Sequence, residues 1–163
     1  MKGYLGVDVG SVTTKLALLD ESNQLIASTY LRTKGSPVEM VKQGLDEIKK
    51  QVPPGVEIGG VATTGSGRYL AGIMVGADLV KNEITAHAVA AMQHVPDVQT
   101  IFEIGGQDSK IIMIRHGVVV DFGMNSVCAA GTGSFLEHQA ERLNVRIEDF
   151  GEHALQSNNP ARI

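Results

Sequence analysis

Asp8 stands at the end of an apolar run (Tyr4, Leu5, Val7, Val9) and is followed by Gly10-Ser11-Val12-Thr13-Thr14-Lys15. A carboxylate at a strand end, beside a glycine turn, is suited to hold a divalent cation through water. Gly10 has no side chain to keep a phosphate away, so the turn can offer an anion backbone N–H groups and two or three hydroxyls. Taken alone, the stretch is equally an ordinary polar hairpin turn. The same order of parts returns over residues 101–110, where Glu103 ends a strand and Gly105, Gly106, Gln107, Asp108, Ser109 and Lys110 follow. One Gly-Gly turn is usually only a turn. Two acidic strand ends with two glycine turns can clamp a polyphosphate and its Mg²⁺ from facing loops.

Two further residues bear chemistry. Glu83 opens a helical pattern between the two loops; a carboxylate there can orient or deprotonate an attacking water, or simply favour the helix dipole. Cys128 sits in Asn125-Ser126-Val127-Cys128-Ala129-Ala130-Gly131-Thr132-Gly133-Ser134-Phe135-Leu136-Glu137, ahead of a helix whose inner face is read as Phe135, Leu136, Gln139, Ala140 and Leu143. Backbone N–H groups at a helix start lower a thiol's pKa and favour a thiolate or a cluster, whereas most lone cysteines are inert small hydrophobes. The histidines match no metal-ligand spacing, and Met92, Met113 and Met124 read as packing.

The elements that must position these residues follow from pattern. Strands are expected at residues 4–9, 16–19 and 24–32, joined by short turns into an antiparallel meander. Ser36-Pro37-Val38-Glu39 reads as a capping box opening a helix, with Val38, Val41, Leu45, Ile48 and Val52 at helical spacing until Pro53-Pro54-Gly55. A strand over 58–64 runs into Thr64-Gly65-Ser66-Gly67 and a short helix at 68–72. A brief strand at 78–81 and a helix from Asn82 to His94 come next. Strands at 100–104, 110–115 and 118–122 follow, the last two joined at His116-Gly117. This is an α/β arrangement, a mixed sheet flanked by helices, and not a simple βαβ alternation.

The 163 residues are 43% hydrophobic and 20% charged, the composition of one soluble domain or a lobe of a larger protein. A net charge of −4 with 4% aromatic residues argues against a nucleic-acid partner. No run approaches the ~18 apolar residues of a membrane span, and no leader pattern opens the chain. One cysteine rules out an internal disulfide and suits a cytoplasmic location.

Residues 6–15 and 103–110 resemble the first and second phosphate loops of the actin, sugar-kinase and heat-shock-chaperone ATPase superfamily, with its ribonuclease H-like lobes. Asn82-Glu83-Ile84-Thr85-Ala86 resembles its connecting helix. Glu103-Ile104-Gly105-Gly106-Gln107-Asp108-Ser109-Lys110 together with the Cys128 motif is narrower. It resembles the activator component of 2-hydroxyacyl-CoA dehydratases and ATP-dependent benzoyl-CoA reductases. That resemblance implies an ATPase homodimer sharing one [4Fe-4S] cluster across its two-fold axis. It takes an electron from a low-potential donor such as ferredoxin or flavodoxin and injects it into the dehydratase or reductase.

By the same resemblance Asp8 and Glu103 hold Mg²⁺ through water and Glu83 orients the hydrolytic water. Gly10, Ser11, Val12, Thr13, Lys15, Gly105, Gly106, Gln107 and Asp108 line the ATP phosphates, and Cys128 is the first of two cluster cysteines per subunit. The second cysteine and the adenosine-binding loop are not in this sequence, so the expectation is the N-terminal lobe of a longer activator. Residues 1–125 would form the core with both phosphate loops, and 126–163 the cluster loop and following helices. A sugar-type kinase of the same fold and a non-enzymatic actin-like scaffold are the alternatives; Gln107 and the cysteine motif speak against the first.

Overall fold

Alternation of apolar residues builds the first sheet. In β1 (Lys2–Val9) Leu5, Val7 and Val9 point into the core, and Tyr4, Gly6 and Asp8 lie on the other face. In β2 (Thr13–Asp20) Thr14, Leu16 and Leu18 are buried. The computed structural model describes residues 1–125 and 131–160. β3 is Leu25–Arg32, β4 is Glu57–Thr64 and β5 is Leu79–Val80; the order is β3-β2-β1-β4-β5. β1, β2 and β3 pair antiparallel as the expected meander, while β4 and β5 add parallel to β1, so the sheet is mixed.

Helix α1 (Pro37–Gln51) covers this sheet with Val41, Gly44 and Ile48. Gly44 is pressed on Leu16, where an added Cβ would come within 2.5 Å of a Leu16 methyl. Pro37 opens the helix as expected, but there is no capping box. The Ser36 hydroxyl makes no capping bond, and Glu39 pairs instead with Lys42 at 3.2 Å. Helix α2 (Arg68–Val75) is longer than its pattern suggested and ends on Gly76 in the left-handed conformation. Helix α3 (Glu83–His94) is capped by Asn82, whose side chain accepts from the Thr85 N–H at 2.9 Å.

β6 (Thr100–Ile104), β7 (Ser109–Arg115) and β8 (Val118–Met124) form a second sheet in that order. The β7–β8 turn carries positive φ at both His116 and Gly117, as a two-residue hairpin requires. Ala88 of α3 packs with Ile112 and Ile114 of β7 in a second core. The outward alternation of β8 leaves Val118, Val120 and Phe122 exposed.

The chain divides into two compact units, Met1–Ile101 with Ile112–Phe122, and Phe102–Ile111 with Gly123–Ile163. The second unit holds α4 (Gly133–Arg142) and α5 (Ile147–Leu155). The expected inner face of α4 is not built: Ala140 is buried, while Phe135, Leu136 and Leu143 are exposed. What anchors α4 is its first turn, where small residues let two backbones meet. Gly133 lies against Gly105, so close that an added Cβ would sit 3.3 Å from its carbonyl oxygen.

Candidate functional site

The first glycine turn is shorter than expected. Only Gly10-Ser11-Val12 turn, closed by Gly10 N–H donating to Thr13 O at 2.9 Å, and Thr13, Thr14 and Lys15 already belong to β2. Thr33 fastens the turn from below: its N–H donates to Val12 O at 2.8 Å and its hydroxyl to Gly10 O at 3.0 Å. With that proton spent, the Thr14 hydroxyl is the donor in its 3.0 Å bond to Thr33 Oγ1. Thr14 is therefore a buried structural hydroxyl and is unavailable to an anion. Because the Gly10 carbonyl turns inward, the N–H of Ser11 across the same trans peptide turns outward.

Asp8 sits directly across β1–β2 from Lys15, and Asp8 Oδ2 accepts from Lys15 Nζ at 3.0 Å. On its other side the parallel β4 places Thr64 in register with Asp8. Thr64 Oγ1 is buried and has no hydrogen-bond partner, a state that costs about 1–3 kcal/mol unless a ligand or its hydration meets it. The next residues leave Asp8 its space. An added Cβ at Gly65, whose φ is +85°, would collide with Asp8 Oδ1 and lie 2.5 Å from Val9 O. Gly67 N–H donates to Val9 O at 2.8 Å, so the Gly65-Ser66-Gly67 turn is laid on the end of β1.

Glu83, at the first turn of α3, is paired. Arg68 Nη1 lies 3.7 Å from Glu83 Oε2 and donates to Gly65 O at 3.1 Å. One guanidinium thus ties the Glu83 carboxylate to the turn that flanks Asp8, and both side chains keep about a quarter to a third of their surface exposed. The Arg68 link had no signature in the sequence beyond its place after a Gly-Ser-Gly turn.

The second unit repeats the device. Gly105 N–H donates to Asp108 O at 2.8 Å, and a Cβ on Gly105 would sit 3.1 Å from Glu103 Oε1 and 3.2 Å from Asp108 O. Lys110 Nζ donates to Glu103 Oε2 at 3.1 Å and to Asp108 Oδ1 at 2.6 Å, with its side chain only 4% exposed. Burial alone would lower the Lys110 pKa, but its bonds to Asp108 and Glu103 outweigh that and hold the ammonium above the ordinary lysine value. The sequence carried this signal: Asp8 and Lys15, like Glu103 and Lys110, stand seven residues apart with glycine two places after the acid. Glu103 and Lys110 also line an open groove of about 430 Å³ whose walls include Phe102, Ile104, Ile111 and Met124.

Each loop offers one strand-end carboxylate, and among the described residues no three His, Cys, Asp or Glu side chains gather to grip a metal directly. That donor set fits Mg²⁺, which keeps several waters and is held by one or two carboxylates plus phosphate oxygens. Cys128, with Ser126 and Val127, lies outside the described residues. The first amides of α4 do not await a thiolate, since Gly133 and Ser134 donate theirs to Gly105 O and Gly106 O. No helix among the described residues is long and apolar enough to cross a membrane.

A family model described as the BadF/BadG/BcrA/BcrD ATPase family matches residues 5–163. The chain is 34% identical over 159 residues to the (R)-2-hydroxyglutaryl-CoA dehydratase activating ATPase of Acidaminococcus fermentans, covering 94% of this chain and 58% of that protein. It is 33% identical over 166 residues to the activator of lactoyl-CoA dehydratase of Anaerotignum propionicum, covering 98% and 61%. Among solved structures, the activator of 2-hydroxyisocaproyl-CoA dehydratase from Clostridium difficile, with bound ADPNP, superposes with a TM-score of 0.80 at 29% identity, over 98% of this chain and 59% of that one. The fold is thus the α/β lobe of actin-like ATPases, and the chain spans about three-fifths of the length of these relatives.

Two tests follow from the geometry. Gly55 and Gly65 share a positive φ, but nothing lies within 4 Å of a Cβ at Gly55. Gly55→Ala should cost only the left-handed strain of about 1–2 kcal/mol. Gly65→Ala should cost clearly more in urea unfolding; equal losses would contradict the close approach to Asp8. For Lys110, a raised native pKa means its stabilisation is present in full below the ordinary lysine value of about 10.4 and is lost only as pH climbs past its own. Lys110→Met should therefore be destabilised at pH 7, and the deficit should shrink as pH climbs past the raised Lys110 pKa. A deficit independent of pH would show that Lys110 acts by packing alone.

Proposed function

The chain belongs to the BadF/BadG/BcrA/BcrD ATPase family, and on that premise we propose that it is the nucleotide-binding lobe of an ATP-dependent activator of a 2-hydroxyacyl-CoA dehydratase or a benzoyl-CoA reductase-like enzyme. The observation that carries the reading is the doubled device: a strand-end acid, a glycine whose N–H closes on the carbonyl three residues on, and a lysine seven residues after the acid. One such turn is unremarkable; two are what phosphates and a hydrated cation need.

In this reading Gly10, Ser11, Val12, Thr13 and Lys15, and Gly105, Gly106, Gln107 and Asp108, bind the phosphates of ATP. Asp8 and Glu103 hold Mg²⁺ through its waters, and Thr64 Oγ1 beside Asp8 is a ready partner for that shell. Lys15 and Lys110 neutralise these carboxylates in the resting lobe and supply positive charge to the phosphates. Glu83 orients the attacking water, with Arg68 holding its carboxylate in place. When bound, Mg²⁺ supplies charge neutralisation at the phosphates and an iron–sulfur cluster supplies one low-potential electron.

Cys128 would be one of four thiolates around a [4Fe-4S] cluster shared by two subunits. A cubane needs four ligands, and an isologous interface doubles each one. The electron donor would be a ferredoxin or flavodoxin. Iron and acid-labile sulfide measured on anaerobically prepared full-length protein should give about four irons per dimer, lost in Cys128→Ala; iron-free wild type would remove the electron-transfer part of the reading. Glu83→Gln should lower kcat for ATP hydrolysis by about 10²-fold or more while nucleotide affinity stays near wild type. An unchanged kcat would return Glu83 to a helix-opening residue.

A further inference from the structure

Helix α4 starts without a cap of its own. Thr132 holds the cap position, yet its side chain makes no bond to the helix's N–H groups. Its hydroxyl donates to Gly106 O at 3.0 Å, Gly133 N–H donates to Gly105 O at 2.9 Å, and Ser134 N–H donates to Gly106 O at 3.0 Å. Thr132 is fully buried. Two of the amides that a helix start leaves unpaired are therefore satisfied by the carbonyls of the second glycine loop.

The consequence lies on the other side of those peptides. A planar trans peptide points its C=O and the following N–H in opposite directions, and no described peptide is cis. With the carbonyls of Gly105 and Gly106 held by α4, the N–H groups of Gly106 and Gln107 face away from it. Consecutive glycines have no steric preference to keep those peptides so turned. The orientation comes from α4, and among the described residues the one side chain in the clamp is Thr132.

We propose that Thr132 is a positioning residue for the second phosphate loop. Its hydroxyl, with the first two amides of α4, fixes the peptides of residues 105–107 so that N–H groups rather than carbonyls meet the phosphates. It also makes loop and helix move as one body. The inference rests on the phosphate-binding reading above and adds how that binding reaches α4. A nucleotide that shifts the loop must shift the helix start, because the two are joined backbone to backbone.

The test uses full-length protein as wild type, Thr132→Val and Thr132→Ser, with KM and kcat for ATP hydrolysis and hydrogen exchange across residues 131–142. In wild type, ADPNP should slow exchange of the Gly133 and Ser134 amides. Thr132→Val keeps the shape and loses the clamp; it should raise KM about tenfold with a smaller change in kcat, and lose the ADPNP-dependent protection. Thr132→Ser, which keeps the hydroxyl, should restore both. Wild-type KM and protection in Thr132→Val would overturn the proposal. Should that variant fail to fold, wild-type exchange indifferent to ADPNP would overturn it equally. A wild type that binds no nucleotide would remove the phosphate reading and this inference together.

Discussion

Gly10 and Gly105 each donate their N–H to the carbonyl three residues on, at 2.9 and 2.8 Å, immediately after a strand that ends in an acid and an aliphatic residue. That closure has little room to spare. A Cβ at Gly10 would stand 3.1 Å from Thr13 O, and one at Gly105 would crowd both Glu103 and Asp108. A chain that reverses this tightly brings the residue seven places after the acid back beside it, which is why an ammonium meets each carboxylate. The acid stays partly exposed, and the peptide dipoles of the turn lie next to it.

The surroundings serve to keep these turns from relaxing. In the first unit Thr33 fastens the Gly10 and Val12 carbonyls from inside the core and is itself held by the Thr14 hydroxyl, and the Gly65-Ser66-Gly67 turn lies on Val9. Arg68 then extends the arrangement to Glu83 on α3. In the second unit the first turn of α4 does what Thr33 does in the first, taking up loop carbonyls so that N–H groups are left outward. The two units use different supports for one backbone geometry, a side-chain hydroxyl from a strand end in one and a helix start in the other.

Much of this was legible in the sequence because it depends on local rules. Alternating apolar residues gave the strands, Asn82 gave the start of α3, and strand-end acids before glycines gave both loops. The errors came where tertiary contacts decide. Thr14 reads as a polar turn residue but is drawn inward by Thr33, nineteen residues on in sequence. Ser36-Pro37-Val38-Glu39 has the letters of a capping box, yet Glu39 finds Lys42 instead. The apolar stripe of α4 suggests a buried face, whereas the helix is held by its first turn on glycine. Thr132, Arg68 and Thr64 could not be singled out, since each acquires its meaning from a partner on another element.

The proposed function rests on each glycine turn serving a nucleotide that carries Mg²⁺. The most direct measurement is a calorimetric titration of full-length protein with ADPNP, with Mg²⁺ present and with Mg²⁺ removed by chelation. Saturable binding of one nucleotide per chain that weakens sharply without the metal is expected, because carboxylates such as Asp8 and Glu103 can hold phosphates only through Mg²⁺ and its waters. No saturable binding, or binding of equal strength with and without Mg²⁺, would contradict it.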